Sequence, residues 1–257
     1  MIAAIIQARM GSTRLPGKVS LPLSNTETVL SYLIKNIRRC YLVDKVIVAT
    51  STNPNDDLIE YIALNSDVDI FRGSEIDVLS RYKGAAEHFK VDTIVRVLSD
   101  NPFTMHTLVD AMLEVWLAKS KIDYCSNILE ESFPLGMHVE IFSYQSLEIA
   151  NKSASRQDYR EHVTPYIYNN PSIFRLVCCQ SRINLSDYRF TIDYQADLDF
   201  SRVLCSAIAC KNIFSVEELC NVVSSIDGLI DINSHYKKPQ TIGGIKEDSF
   251  QRYMMKY

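Results

Sequence analysis

An apolar run that passes directly into a basic, glycine-containing loop occupies residues 1–18 and constrains the rest of the chain. Residues 2–7 read Ile-Ala-Ala-Ile-Ile-Gln, nearly continuous apolar character that predicts a strand buried on both faces. Such a strand belongs inside a parallel sheet, and open parallel sheets bind ligands beyond the carboxyl ends of their strands. Residues 8–18 carry Arg9, Arg14 and Lys18, with Gly11, Ser12, Thr13, Pro16 and Gly17 among them, and no acidic residue comes before Glu27. Glycine lets backbone N–H groups approach a ligand closely; arginine meets an oxyanion as a planar fork and lysine as a point charge. The combination predicts a phosphate chain as the ligand, against the plainer alternative of a surface loop with three solvated bases. Two familiar phosphate loops are excluded by spacing. Gly17-Lys18 is followed by Val19 and not by Ser or Thr, and Gly11 and Gly17 are too few for a three-glycine dinucleotide fingerprint.

Strand and helix signals then alternate. Val29, Leu30, Leu33, Ile34 and Ile37 share one helical face within 27–39, and 45–50 reads as a second buried strand. A helix is expected over 56–65, a strand over 68–71, and a helix with Val78, Leu79, Tyr82, Ala86 and Phe89 on one side. Residues 92–98 read as a strand and 104–118 as a helix. This alternation with short connections predicts an α/β fold with a doubly wound, mostly parallel sheet. After 118 the pattern changes. A strand is expected over 122–127, and the alternating stretch 134–142 is expected to leave the main sheet. Helices follow over 144–151 and 156–169, strands over 174–178 and 188–192, and helices over 198–209 and 215–225. The polar, glycine-containing tail is expected to be partly mobile. The implied division is a main domain over 1–210, with an inserted subregion at about 130–175, and a C-terminal helical and irregular extension over 211–257.

Composition narrows the class. Hydrophobic residues make up 47% of the 257, enough for a substantial core. A net charge of −4 makes the basic loop a local feature and argues against nucleic acid as a partner. No apolar run approaches the roughly 20 residues of a membrane span. The first residues show no leader pattern, and the seven cysteines show no zinc spacing, which fits reduced thiols in a cytoplasmic chain.

Two aspartates stand at expected strand ends. Asp100 follows 92–98, and Asp193 follows Arg189-Phe190-Thr191-Ile192. Two carboxylates with phosphate oxygens and water suit Mg²⁺, although either aspartate alone also reads as a helix N-cap. Arg189, four residues before Asp193, shares its strand face and either balances a ligand anion or pairs within the fold. His138 and His162 read equally as site residues or as structural hydrogen-bonders. Ser74 and Asp77 read as N-cap and third helical residue of the following helix. No Ser-His-Asp or Cys-His arrangement is evident, so direct in-line attack at phosphorus is expected, with the protein supplying position and positive charge.

The run Gln7-Ala8-Arg9-Met10-Gly11-Ser12-Thr13-Arg14-Leu15-Pro16-Gly17-Lys18 resembles the signature loop of the cytidylyltransferases that make CMP-activated acidic sugars, in the form of the SpsF-type, spore-coat polysaccharide branch. Leu98-Ser99-Asp100-Asn101-Pro102, the stretch from Arg72-Gly73-Ser74 to Tyr82, Arg160-Glu161-His162-Val163-Thr164-Pro165-Tyr166 and the stretch from Thr191 to Leu198 extend the resemblance to about Phe200. It implies a nucleotide-diphospho-sugar transferase-like fold. It also implies that the backbone near Ala8 and Arg9 receives cytosine, with Met10, Gly11, Ser12 and Thr13 completing the nucleotide loop. Arg14 and Lys18 would hold the triphosphate and stabilise departing pyrophosphate, Asp100 and Asp193 would carry Mg²⁺, and Arg72 and Ser74 would face the nucleotide. Lys18, Arg14 and Asp100 form the expected catalytic set. His138, Arg160, His162 and Arg189 are the expected acceptor-binding residues. Ser99 stands where the family usually has glycine, and Tyr194-Gln195 where it has Thr-Pro; neither departure removes a carboxylate. The implied reaction moves CMP from CTP to an acidic sugar or a small phosphorylated or phosphonate acceptor, releasing pyrophosphate, for surface polysaccharide. A homodimer joined through an arm at about 130–175 is the implied assembly. A glycosyltransferase of the related nucleotide-sugar fold is the alternative, but it usually carries an Asp-x-Asp motif where this chain has Asp100-Asn101-Pro102. A non-catalytic nucleotide-binding module would not need both carboxylates.

Overall fold

The computed structural model describes residues 1–119, 121–236 and 249–255. Ile2–Gln7 is the first strand, β1, and Ala3, Ala4, Ile5 and Ile6 are each fully buried. Side chains alternate across a strand. Ala4 and Ile6 therefore join one apolar layer, and Ala3 and Ile5 join the other. The remaining strands are β2 (Lys45–Ser51), β3 (Asp69–Gly73), β4 (Thr93–Leu98), β5 (Tyr124–Ser126), β6 (Glu140–Ser143), β7 (Leu176–Gln180) and β8 (Gln251–Met254). Among the described residues they form one sheet in the order β3-β2-β1-β4-β6-β5-β7-β8. Pairing is parallel throughout except at β6, which runs antiparallel to both β4 and β5.

Helices cover both faces. α1 (Val29–Ile37), α2 (Asp57–Asn65), α4 (His106–Ala118), α8 (Gln195–Ile208) and α9 (Val216–Ser224) pack into the layer that holds Ala4 and Ile6. α3 (Val78–Phe89), α5 (Tyr144–Ser153) and α7 (Pro165–Tyr168) pack into the other, and α6 (Gln157–His162) lies against α3. α1 shows why these residues choose helix. Thr28 and Ser31 form a reciprocal capping box, and Val29, Leu30, Leu33, Ile34 and Ile37 are all buried at helical spacing. Each such side chain contributes about 1.5–3 kcal/mol on burial. Six of the seven cysteines are buried packing residues, and Cys210 is exposed.

The structure corrects four expectations. Residues 140–143 do not leave the main sheet; β6 is inserted between β4 and β5, where Ile141 and Phe142 are buried one on each face. Residues 188–192 make no ladder strand and contribute only an isolated bridge between Leu135 and Arg189. The helix expected over 156–169 breaks into α6 and α7, because Val163 adopts φ +71° and Pro165 opens a new helix. The cap of α3 is Asp77, which accepts from the Ser80 N–H at 3.0 Å, while Ser74 forms a turn one step earlier by accepting from the Asp77 N–H at 3.0 Å. Of the tail expected to be partly mobile, which follows the helix near 215–225, residues 237–248 lie outside the described residues. β8, beyond them, pairs with β7, and α9 is buried through Val216, Leu219, Cys220 and Val223.

Gly136 links fold to site. Its φ is +98°, and a Cβ there would fall 2.4 Å from the Thr191 nitrogen. That close approach lets residue 135 exchange hydrogen bonds with 188 and 190, at 3.1 and 2.7 Å, fixing the chain just before Asp193. Gly136→Ala is therefore expected to cost about 3 kcal/mol and to lower Tm by roughly 5–10 °C in thermal melts. Gly228→Ala is the control: it shares a positive φ of +71° but meets nothing within 4 Å, and its loss should be about 1 kcal/mol.

Candidate nucleotide-binding site

The strand order reverses between β1 and β4: β2 and β3 extend the sheet on one side of β1, and β4, parallel to β1, lies on the other. The carboxyl ends at such a switch point leave a crevice. The loop after β1 enters it in a fixed shape. Met10 N–H donates to Asp56 Oδ1 at 2.8 Å, and the Met10 carbonyl accepts from the N–H groups of Ser12 and Gly17 at 2.8 and 3.2 Å. Gly17, at φ +66°, then starts a single 3-10 turn, Lys18–Ser20, that turns Lys18 inward. Among the described residues the backbone N–H groups of Gly11, Thr13 and Arg14 have no protein acceptor.

Lys18 joins the two aspartates. Its Nζ donates to Asp100 Oδ2 at 2.6 Å and to Asp193 Oδ1 at 2.9 Å, and its side chain is only 11% exposed. Arg14 Nη2 lies 2.7 Å from the same Asp193 oxygen. The two acidic segments are also tied by backbone, since Ile192 N–H donates to the Asp100 carbonyl at 2.9 Å. Behind them Asp197, fully buried, accepts from the N–H groups of Asp193 and Tyr194 at 2.9 Å each. It also accepts from Arg189 Nε and Nη2 at 2.8 and 2.9 Å. Burial alone would lower the Lys18 pKa, but Asp100 and Asp193 outweigh it and raise it above 10.5. Burial alone would raise Asp193, yet Lys18, then Arg14 and Arg189, hold it below 3.8.

A cavity of about 540 Å³ extends from this cluster, within the range of small-molecule sites. Ala8, Arg9, Gly11, Ser12, Thr13, Arg14, Lys18, Asp100, His138, His162 and Asp193 all line it, so the structure brings most of the expected residues together. Burial pulls the pKa of His138 and of His162 below 6.5, against opposing attraction from Glu140 and Glu161. Both imidazoles are therefore neutral at pH 7. His162 and Thr164 reach the cavity from either side of a tight turn in which Thr164 N–H donates to the His162 carbonyl at 2.9 Å. Val163 at its centre holds the rarer, strained γ-turn geometry, φ +71° and ψ −59°.

Five expected site residues lie elsewhere. Arg72 Nη1 is 2.7 Å from both Asp57 and Glu60, and the same guanidinium donates to the Ser51 and Asn53 carbonyls at 2.8 Å, so it points away from the cavity and braces β2 to α2. Ser74 is spent on the turn before α3. Arg160 ties α6 to Asp77 at 2.6 Å and to the end of α5 through Asn151 and Ala154. Arg189 lies behind the cavity, bonded to Asp197, and 3.4 Å from Asp193. Met10 holds the loop through its backbone while its side chain packs on the core. Other residues reach the cavity that sequence reasoning passed over. Arg96, on β4, pairs with Glu140 and donates to Gln7 Oε1 at 3.0 Å, forming a polar floor with Tyr124, which donates to Glu140 at 2.8 Å. A lone arginine in the apolar run Thr-Ile-Val-Arg-Val-Leu was the available signal. Arg81 is buried in the wall, donates to the Ser74 carbonyl at 2.9 Å and has no acceptor for its Nε–H among the described residues.

The carboxylates suit a divalent cation. Asp100 Oδ1 is buried with no hydrogen-bond partner, and Asp193 lies on the other side of the shared ammonium. Among the described residues no group of three or more His, Cys, Asp or Glu side chains gathers. Two carboxylates completed by phosphate oxygens and water fit magnesium better than an all-protein cage would.

The sheet, its switch point and the cationic loop define an α/β protein that handles a phosphate-bearing ligand. The chain belongs to the cytidylyltransferase family, which it matches over residues 3–225. It is 34% identical over 239 residues to an uncharacterized protein of Methanocaldococcus jannaschii, covering 92% of this chain and 96% of that one. It is likewise similar to the spore coat polysaccharide biosynthesis protein SpsF of Bacillus subtilis, at 34% identity over 230 residues, covering 87% and 94% of the two chains. A cytidylyltransferase from Leptospira borgpetersenii serovar Hardjo-bovis superposes with a TM-score of 0.84 at 31% identity, over 93% of this chain and 99% of that one. No helix among the described residues is long and apolar enough to cross a membrane.

The charge cluster predicts an acid dependence. The depressed Asp193 pKa contributes stability that is present above pH 3.8 and lost as pH falls through the lowered value. Lys18→Met leaves two part-buried carboxylates without their shared cation and should cost about 3 kcal/mol at pH 7. Urea unfolding should show this gap narrowing between pH 5 and pH 3, as protonation of Asp193 relieves the variant while removing the wild-type advantage.

Proposed function

We propose that this chain transfers CMP from CTP to a small anionic acceptor, an acidic sugar or a phosphorylated or phosphonate metabolite, with release of pyrophosphate. The observation that carries this reading is the meeting of Lys18 and Arg14 with Asp100 and Asp193 at the end of a loop whose Gly11, Thr13 and Arg14 N–H groups have no acceptor among the described residues. The acceptor oxygen attacks the α-phosphorus as the bond to the bridging oxygen of the departing pyrophosphate breaks. Lys18 and Arg14 neutralise the triphosphate and the charge that builds on the leaving group, and the loop N–H groups fix its oxygens. Ala8 and Arg9 border the cytosine. Asp100 and Asp193 would hold magnesium, which would supply further charge neutralisation on the phosphate oxygens. His138 and His162, neutral at working pH, orient the acceptor and take the proton of an attacking hydroxyl. Similarity to SpsF supports a surface-glycan role for the product. The family resemblance supports a cytoplasmic homodimer joined through about 130–175, which light scattering checks.

Pyrophosphate release measured with each of the four nucleoside triphosphates, Mg²⁺ and a panel of sugar acids and phosphorylated acceptors tests the reading. CTP should be the substrate. Lys18→Ala and Asp193→Ala should each lower kcat/KM by roughly 100-fold or more while the proteins remain folded. A folded wild type that releases no pyrophosphate from CTP with any acceptor would sink it.

A further inference from the structure

The segment that follows α9 returns to the triphosphate end of the cavity. Its single 3-10 turn, Ile230–Ile232, delivers Asn233 to a buried position where Nδ2 donates to the Arg189 carbonyl at 3.2 Å and to Asp197 Oδ1 at 3.1 Å. Three residues on, Tyr236 stacks on Tyr194 with ring centroids 4.0 Å apart and planes within 5°. The Arg14 guanidinium sits over the Tyr194 ring, 5.2 Å from its centroid. Arg189 flanks the pair, 5.9 Å from one ring and 5.7 Å from the other. Both Asn233 and Tyr236 lie beyond the matched family span of 3–225, and Tyr194 stands where the resemblance leads one to expect threonine.

Arg14 is the cation in the cluster that needs support. Its side chain is 52% exposed, against 11% for Lys18. A long exposed arginine loses much rotamer freedom when it grips a ligand, and an aromatic face that already holds it reduces that loss. We propose that Tyr194 and Tyr236 form a two-ring platform that holds Arg14 against the phosphates beyond the α-phosphate, and that Tyr236 and Asn233 are positioning residues supplied by the C-terminal segment. Tyr236 acts through Tyr194 on Arg14, and Asn233 acts by locking Asp197, whose carboxylate carries the backbone of Asp193 and Tyr194. The proposal rests on the reading of CTP as the nucleotide.

Calorimetry with CTP and with CMP, each with Mg²⁺, tests it on the full chain. Tyr236→Ala should weaken CTP binding about fivefold or more and leave CMP within about twofold, because CMP lacks the phosphates that Arg14 would hold. In turnover the same variant should raise KM for CTP more than it lowers kcat, and Tyr236→Phe should restore both. In an Arg14→Ala background, Tyr236→Ala should add almost nothing. Tyr236→Leu retains apolar cover without the ring face; it should match the alanine variant in CTP affinity at near wild-type Tm, and it replaces that variant if the latter is unfolded. Equal CTP affinity in wild type and Tyr236→Leu overturns the platform, as does a parallel loss of CTP and CMP binding. A wild type that binds no CTP overturns the functional reading, and this proposal with it.

Discussion

The ammonium of Lys18 between two carboxylates is the interaction on which the site depends. Its partners lie 82 and 175 residues away in the chain, so it closes two long loops at one point. Removing three such groups from water is expensive, and their mutual attraction offsets that cost only where geometry and further hydrogen bonds are in place. The fold provides both. The Ile192–Asp100 backbone bond sets the separation of the acidic segments, and Asp197 gathers the N–H groups beside Asp193. Gly136 allows the chain to lie close enough for this to happen. The cluster is thus held from behind by groups that do not face the cavity.

Much of this is legible in the sequence. A strand buried on both faces followed by a basic loop gives β1, its parallel neighbours and the side of the sheet that bears the site, because hydrophobic runs and loop chemistry are local signals. β6 was not legible. Residues 134–142 alternate as an exposed strand would, but insertion between β4 and β5 is decided by long-range pairing. Arginine roles were legible only in part. A local motif makes Arg72 look like a ligand contact, whereas its place is set by Asp57 and Glu60 on the preceding helix, α2. Arg81 lies inside the resembling stretch with no chemistry there to single it out, and Arg96 lies in no motif, yet both are buried in the cavity wall.

The two halves of the cavity are built differently. The side lined by Lys18 and Asp100 stands on β1, β4 and their following loops, where every βα unit follows the same packing rule. The side lined by His138 and His162 comes from segments around 127–140 and 160–168, where regular structure is interrupted. Its floor is a neutralised network, Arg96 with Glu140, closed by Gln7 and Tyr124. Such a network adds hydrogen-bonding direction without adding net charge, which favours discrimination over bulk attraction.

The strained turn at Val163 fits that division. A β-branched residue at φ +71° costs free energy, and it persists because Val163 is fully buried and Pro165 fixes the next helix. The return for that cost is geometric: His162 and Thr164, two residues apart, face one cavity, which neither a continuous helix nor an extended strand end would secure with the same rigidity. This side of the cavity is therefore shaped by backbone conformations that its own sequence disfavours locally and that the surrounding core imposes. Such a lining can change through a few loop residues while β1, Lys18 and the paired aspartates stay as they are.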